Sequence, residues 1–268
     1  MENLDEILTA VAAGALSPSE AAGRLKGGEV RYLDDLAVLD LGRMERKGVP
    51  EVVYARGKTP EVAARICASV LEHRERVTIS GASPEHEEAL RATLPDIPVE
   101  RSGRALVAGG GAPEPTGGRV VAISAGTSDL PALLEAVAVA REMGVTIKSF
   151  NDVGVAGLHR LARPIEELRA FDPDCVIVAA GMEGALPSVV SGLVSVPVVG
   201  LPTSTGYSLG GDGTAAILGM LNSCSPGLSV VNVDNGVSAG ATAALIANRA
   251  AYRERAARSN GPAPGEGV

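Results

Sequence analysis

Tryptophan is absent from this chain and phenylalanine occurs only twice. The interior must therefore form without the large aromatic side chains that dominate many cores. With four tyrosines besides, packing falls to Ala, Val, Leu and Gly. Small side chains let helices and strands approach closely, which suits a tightly wound α/β domain. Long apolar runs are missing too. None approaches the ~18 residues of a membrane span. The start, MENLDEILTAVAAGALSPSE, is acidic where a signal peptide would be basic. A soluble cytoplasmic protein with no membrane partner is expected. Basic residues are outnumbered, 24 Lys and Arg against 32 Asp and Glu. That argues against general nucleic-acid affinity, which rests on a Lys/Arg surface. It leaves room for a nucleotide ligand held by a Gly-rich loop and a few cations. Cysteine is scarce, and Cys67, Cys175 and Cys224 lack the spacing of a metal site.

What is present is order. At 268 residues the chain can form a large domain plus a smaller one. Residues 1–107 read as an N-terminal α+β unit. SPSE places Ser17 as a helix cap, Pro18 at the first helical position and Glu20 three after Ser17, a capping box. AVLDL and EVVYA read as strands, TPEVAARICASVLEHRE as a helix. RVTISGAS, PEHEEALRATL and IPVERSGRALVAGG read as strand, helix, strand. AGGGAPEPTGGR lacks periodicity and makes 108–118 a linker or a loop over a site. From 119 to 256 apolar strands alternate with helices, the pattern of a parallel sheet buried on both faces. The tail 257–268, ending SNGPAPGEGV, is too polar and Gly/Pro-rich to fold.

In such a sheet, ligands bind beyond the carboxyl ends of the strands. After the first strand of the second unit comes SAGTSD, with Ser124, Gly126, Thr127, Ser128 and Asp129 at a helix start suited to an anion or to plain capping. After the second, FNDVGVAGLHR offers Asn151, Asp152, His159 and Arg160. After the third, Gly181, Met182 and Glu183 precede a helix; Glu183 is a candidate general base, or simply complements the helix dipole. After the fourth, PTSTGYSLGGDGT supplies Thr203, Ser204 and Tyr207, the last able to stack on a base. Its spacing matches neither a Walker nor a dinucleotide fingerprint. Cys67 and Cys175 fall inside a helical and a strand pattern and read as core. Cys224 differs: MLNSCSPGLSV puts it in a polar turn before the fifth strand, normally the face opposite the ligand. The loop must fold back, serve a neighbouring subunit, or be structural.

Taken together, SAGTSD, DVGVAGLHRL, GMEGALPSVVSGLV, PVVGLPTSTGY, MLNSCSPG and NVDNG resemble the nickel-pincer cofactor biosynthesis family LarB. The C-terminal half resembles PurE, the aminoimidazole ribonucleotide carboxylase. LDLGRMERKGVPEVVYARGKTPE extends the likeness into the first half, so that it covers roughly residues 30–255. The resemblance implies a PurE-like three-layer parallel sheet, flavodoxin- or Rossmann-like, beside a smaller α/β domain. It implies carboxylation of the pyridinium ring of nicotinic acid adenine dinucleotide at C5. Phosphoanhydride hydrolysis then gives pyridinium-3,5-biscarboxylic acid mononucleotide and AMP. CO2 or bicarbonate would be co-substrate, Mg2+ the cofactor, and a homo-octamer with shared sites the assembly. Cys224 matches the covalent residue of the family motif. Glu183 is then the proton acceptor. Asp129 has a catalytic role and, with Asp152, is a candidate magnesium ligand. Arg46, Lys58 and Arg160 are possible cationic partners of the phosphates. GLHR matches the His-containing loop of PurE only loosely, so His159 receives no catalytic role. The alternatives are a carboxylase acting on aminoimidazole ribonucleotide itself, already an enamine and in no need of a thiol, and a non-catalytic nucleotide-binding module on the same scaffold.

Overall fold

The computed structural model describes residues 4–21, 30–34, 36–207 and 211–259. Helix α1 (Leu4–Ala12) opens the chain. The expected capping box follows: Glu20 N–H donates to Ser17 Oγ, and Ser17 N–H to the Glu20 carboxylate. Strands β1 (Val30–Leu33) and β2 (Ala37–Asp40) form an antiparallel pair, and the short helix α2 (Arg43–Lys47) comes after it.

The rest of the N-terminal domain is a four-stranded sheet in the order β3-β4-β6-β5, made of β3 (Val52–Tyr54), β4 (Arg76–Ser80), β5 (Val99–Ser102) and β6 (Ala105–Gly109). Helix α3 (Pro60–Leu71) lies between β3 and β4, and α4 (Pro84–Thr93) between β4 and β5. Thr59 caps α3 by accepting from Val62 N–H, with Pro60 at the first helical position. The stretch 97–110, read from the sequence as one strand, is a hairpin. It turns at Gly103, whose φ of 61° lies in the left-handed region.

The C-terminal domain holds a five-stranded parallel sheet in the order β11-β10-β9-β7-β8. Its strands are β7 (Arg119–Ser124), β8 (Thr146–Phe150), β9 (Cys175–Ala180), β10 (Val198–Pro202) and β11 (Leu228–Val230). Alternate residues of β7 enter two different cores: Val120 and Ala122 face α5 (Leu130–Glu142) and α9 (Gly236–Ser259). Val121 and Ile123 face α6 (Ala162–Phe171), α7 (Ala185–Ser191) and α8 (Thr214–Leu221). The missing aromatics are explained where α5 crosses α9. A Cβ at Gly240 would sit 2.2 Å from Ala136 O, and one at Gly236 2.6 Å from Ala132 O. The two backbones touch, and larger side chains would hold them apart.

β6 runs to Gly109 and α9 to Ser259, so regular structure continues past positions 107 and 256. The remainder of the expected tail, 260–268, lies outside the described residues, as do Ser208, Leu209 and Gly210 of the fourth ligand-end loop. No helix among the described residues is long and apolar enough to cross a membrane.

The two domains meet along α5. Ser102 Oγ donates to Leu134 O, and Arg104 N–H donates to Pro131 O. Arg76 grips Glu142 through two hydrogen bonds of 2.7 and 2.8 Å. Glu135 is buried on the same helix and accepts from Ser80 Oγ and Gly81 N–H.

Candidate active site

The strand order reverses direction between β7 and β9, and in sheets of this topology the ligand crevice lies beyond the carboxyl ends of those strands. Ser124 and Ala180 end those strands. Asp129 locks the crevice floor. One of its oxygens accepts from Thr203 Oγ1 at 2.5 Å and Thr205 Oγ1 at 2.7 Å; the other accepts from Gly126 N–H at 2.8 Å. The loops after β7 and β10 are thus tied by one carboxylate. Gly181, leaving β9, fits against this clamp because it lacks a side chain: a Cβ there would lie 2.6 Å from Thr205 Oγ1.

Two of the expected ligand contacts lie inside this arrangement. Ser124 and Thr203 are both fully buried. Ser124 Oγ accepts from Asp152 N–H, and Thr203 Oγ1 donates to Asp129, so both hold the floor together. Asp129 shares their position, 4% exposed with three donors on it.

The rim carries the exposed groups. Thr127 and Ser128 stand on the single 3-10 turn that leads into α5. Met182 and Glu183 project from the turn between Gly181 and α7; Met182 takes a left-handed φ of 51°. Glu183 is exposed. Across the crevice Asp152 and Arg160 neutralise each other, 3.1 Å apart, while Arg160 also donates to Asp152 O and Gly154 O. Tyr207 is three-quarters exposed.

Cys224 stands apart from the crevice. It lies in the turn from α8 to β11, at the amino end of the sheet, and is exposed. Ser225 Oγ donates to Ser188 O and Ser191 Oγ to Pro226 O, which fasten the turn to the second half of α7. Glu183 leads that same helix, and its carbonyl would be 2.0 Å from a Cβ at Gly219 on α8. Cys224 and Glu183 therefore flank α7, about 10 Å of helix between them. The exposed Leu193, Leu218 and Leu221 surround this face. The other thiols are inert: burial pushes both Cys67 and Cys175 up to about 12.

The residues expected to hold magnesium do not fit it together. Asp129 has donors on both oxygens, and Asp152 is paired with Arg160. Among the described residues no group of three or more His, Cys, Asp or Glu converges.

Sequence reasoning missed a second concavity. A cleft of about 500 Å³ lies between the domains, with Arg43, Arg56 and Arg104 on its N-terminal wall. The cations chosen from the sequence lie just outside it. Arg46 makes a bidentate pair with Asp40, at 3.2 and 2.6 Å, and Lys58 donates to Tyr54 O. One turn of α2 separates Arg43, facing the cleft, from Arg46, facing β2. Cleft and crevice share a wall: Asp234 in the cleft accepts from Ser204 N–H and Oγ. Burial pushes the Asp234 carboxyl up. The Ser204 hydrogen bonds and the Arg104 charge outweigh that and hold it below the ordinary range.

Comparison with known proteins agrees with this two-part architecture. Residues 32–109 match a LarB/PurE-like N-terminal domain, and 119–259 match AIR carboxylase. An uncharacterized protein of Methanocaldococcus jannaschii is 37% identical over 252 residues, 92% of this chain and 97% of that protein. The solved PurE of Treponema denticola is 20% identical, with 53% of this chain and 92% of that one covered and a TM-score of 0.38. The chain belongs to the AIR carboxylase family, in the form that carries a LarB/PurE-like N-terminal domain.

Proposed function

We propose that this carboxylase-family protein adds CO2 to C5 of the pyridinium ring of nicotinic acid adenine dinucleotide and then hydrolyses the phosphoanhydride. The observation that carries the reading is Cys224, exposed in a polar turn while the other two thiols are buried and held protonated.

A pyridinium carbon is electron-poor and does not attack CO2. Addition of the Cys224 thiolate para to the ring nitrogen forms a C–S bond and leaves C5 as the β-carbon of an enamine. That carbon attacks CO2, forming the new C–C bond and an iminium. A base, for which Glu183 is the candidate, takes the C5 proton. The electron pair then expels the thiolate and restores aromaticity. A soft, reversible nucleophile is required, and cysteine is the side chain that supplies it. Hydrolysis adds water at phosphorus and releases AMP. Thr127, Ser128 and Arg160 are the candidate partners of the phosphates, with Tyr207 for a ring. With Asp129 and Asp152 committed to protein partners, magnesium would enter on the substrate phosphates.

Cys224 and the crevice lie at opposite ends of one sheet, so the reading needs a neighbouring copy to bring Cys224 to the ring. The exposed leucines around it support a shared, homo-oligomeric site, an octamer in the family's manner.

The test is incubation with nicotinic acid adenine dinucleotide, bicarbonate and magnesium, followed by mass spectrometry. A mononucleotide with one extra carboxyl and an equal amount of AMP is expected, and neither from Cys224→Ala. No conversion by folded wild type overturns the reading; turnover of aminoimidazole ribonucleotide instead would make Cys224 structural.

A further inference from the structure

The interdomain cleft contains more cationic donors than its own acids satisfy. Arg56 has no hydrogen-bond or ion-pair partner among the described residues. Arg43 Nε is buried with no acceptor, and its link to Glu51 is a long 3.5 Å. The Arg104 Nη1 closest to Asp234, at 2.9 Å, is likewise buried without a well-aligned hydrogen bond. The acids are already engaged. Asp234 takes the Ser204 bonds, and Glu135 takes those of Ser80 and Gly81.

Guanidinium groups that line a cleft and are short of acceptors gain charged hydrogen bonds when an anion enters it. Three forks around one space match an acceptor with several oxygens, and arginine binds phosphate in this way. Tyr54, half exposed on the same wall, offers a ring face to a base. The volume, about 500 Å³, lies in the range of small-molecule sites. The cleft also adjoins the crevice through the Ser204–Asp234 contact, so a ligand could reach from one into the other.

We propose that the cleft between the domains binds the phosphate monoester of a nucleotide, with Arg43, Arg56 and Arg104 around the phosphate and Tyr54 against the base. That this nucleotide is the half of the dinucleotide distal to the pyridinium ring rests on the function proposed above; the anion site itself does not.

Calorimetric titration of the full-length protein with AMP, without bicarbonate, tests the site independently of turnover. Wild type binds AMP, and adenosine binds at least about tenfold more weakly because the charged hydrogen bonds are missing. Arg56→Ala weakens AMP by about tenfold or more. Arg56 is exposed and has no partner among the described residues, so this variant keeps its fold, which an unchanged melting curve verifies. Arg43→Ala weakens AMP in the same direction. No AMP binding at millimolar concentration, or binding unchanged in both variants, overturns the proposal. A failure of carboxylation with AMP binding intact would overturn the proposed reaction and leave the site standing.

Discussion

Thr203 and Asp129, 74 residues apart in sequence, meet at 2.5 Å, and with that contact the ends of β10 and β7 become one surface. Thr205 and Gly126 N–H complete the clamp. Asp129 thereby ties the turn of Thr127 and Ser128 to the loop of Ser204.

Replacing Asp129 by Ala strands three donors at a buried point. A loss of about 3 kcal/mol in unfolding free energy is expected, since unsatisfied buried partners of a charge are costly. Urea denaturation measures it. Loss of activity at full stability would instead put Asp129 in contact with substrate.

Iodoacetamide at mildly alkaline pH should modify native protein once, at Cys224. Cys67 and Cys175 are buried, and their thiols stay protonated far above that pH. Intact mass counts the adducts, and peptide mapping names the residue. A second adduct on folded protein would contradict the burial.

Asp234 ties the ligand end to the domain interface, and its carboxyl is held below 3.8 in the fold. A lowered value means the folded state favours the charged form. The stability this contributes is fully present above 3.8 and disappears as pH falls through the lower folded value. Asp234→Asn should melt lower than wild type near neutrality, and the gap should close on acidification below about pH 4. Melting temperatures across the acid range decide it.

Glu142→Ala breaks the bidentate grip of Arg76 on α5 and leaves a largely buried guanidinium with only the carbonyls of Gly110 and Gly111. A cost of about 3 kcal/mol is expected, with the N-terminal domain melting earlier than the C-terminal one. Calorimetry should resolve two transitions in the variant; one cooperative transition at the wild-type temperature would mean the grip is dispensable.

The elements themselves were written locally. Ser17 and Glu20 form their capping box, Thr59 caps α3, and the apolar runs of β7, β9 and β10 are buried on both faces, because propensity, capping and periodicity act over a few residues. Scarce aromatics also foretold tight packing, met at Gly240 against Ala136. Long-range docking decided the rest. Nothing in SAGTSD or PTST says that Ser124 and Thr203 face inward, since a hydroxyl suits a ligand and a buried carboxylate equally well. Arg43 and Arg46 look alike in RMERK and stand one turn apart on the same helix, yet Arg43 lines the cleft and Arg46 pairs with Asp40. Arg104, in a hairpin turn, gained a role only when that hairpin settled on α5. Residue type and spacing determined the strands, the helices and the unusual thiol; which side chains meet depended on how distant segments pack, a choice set by shape and desolvation across the whole chain.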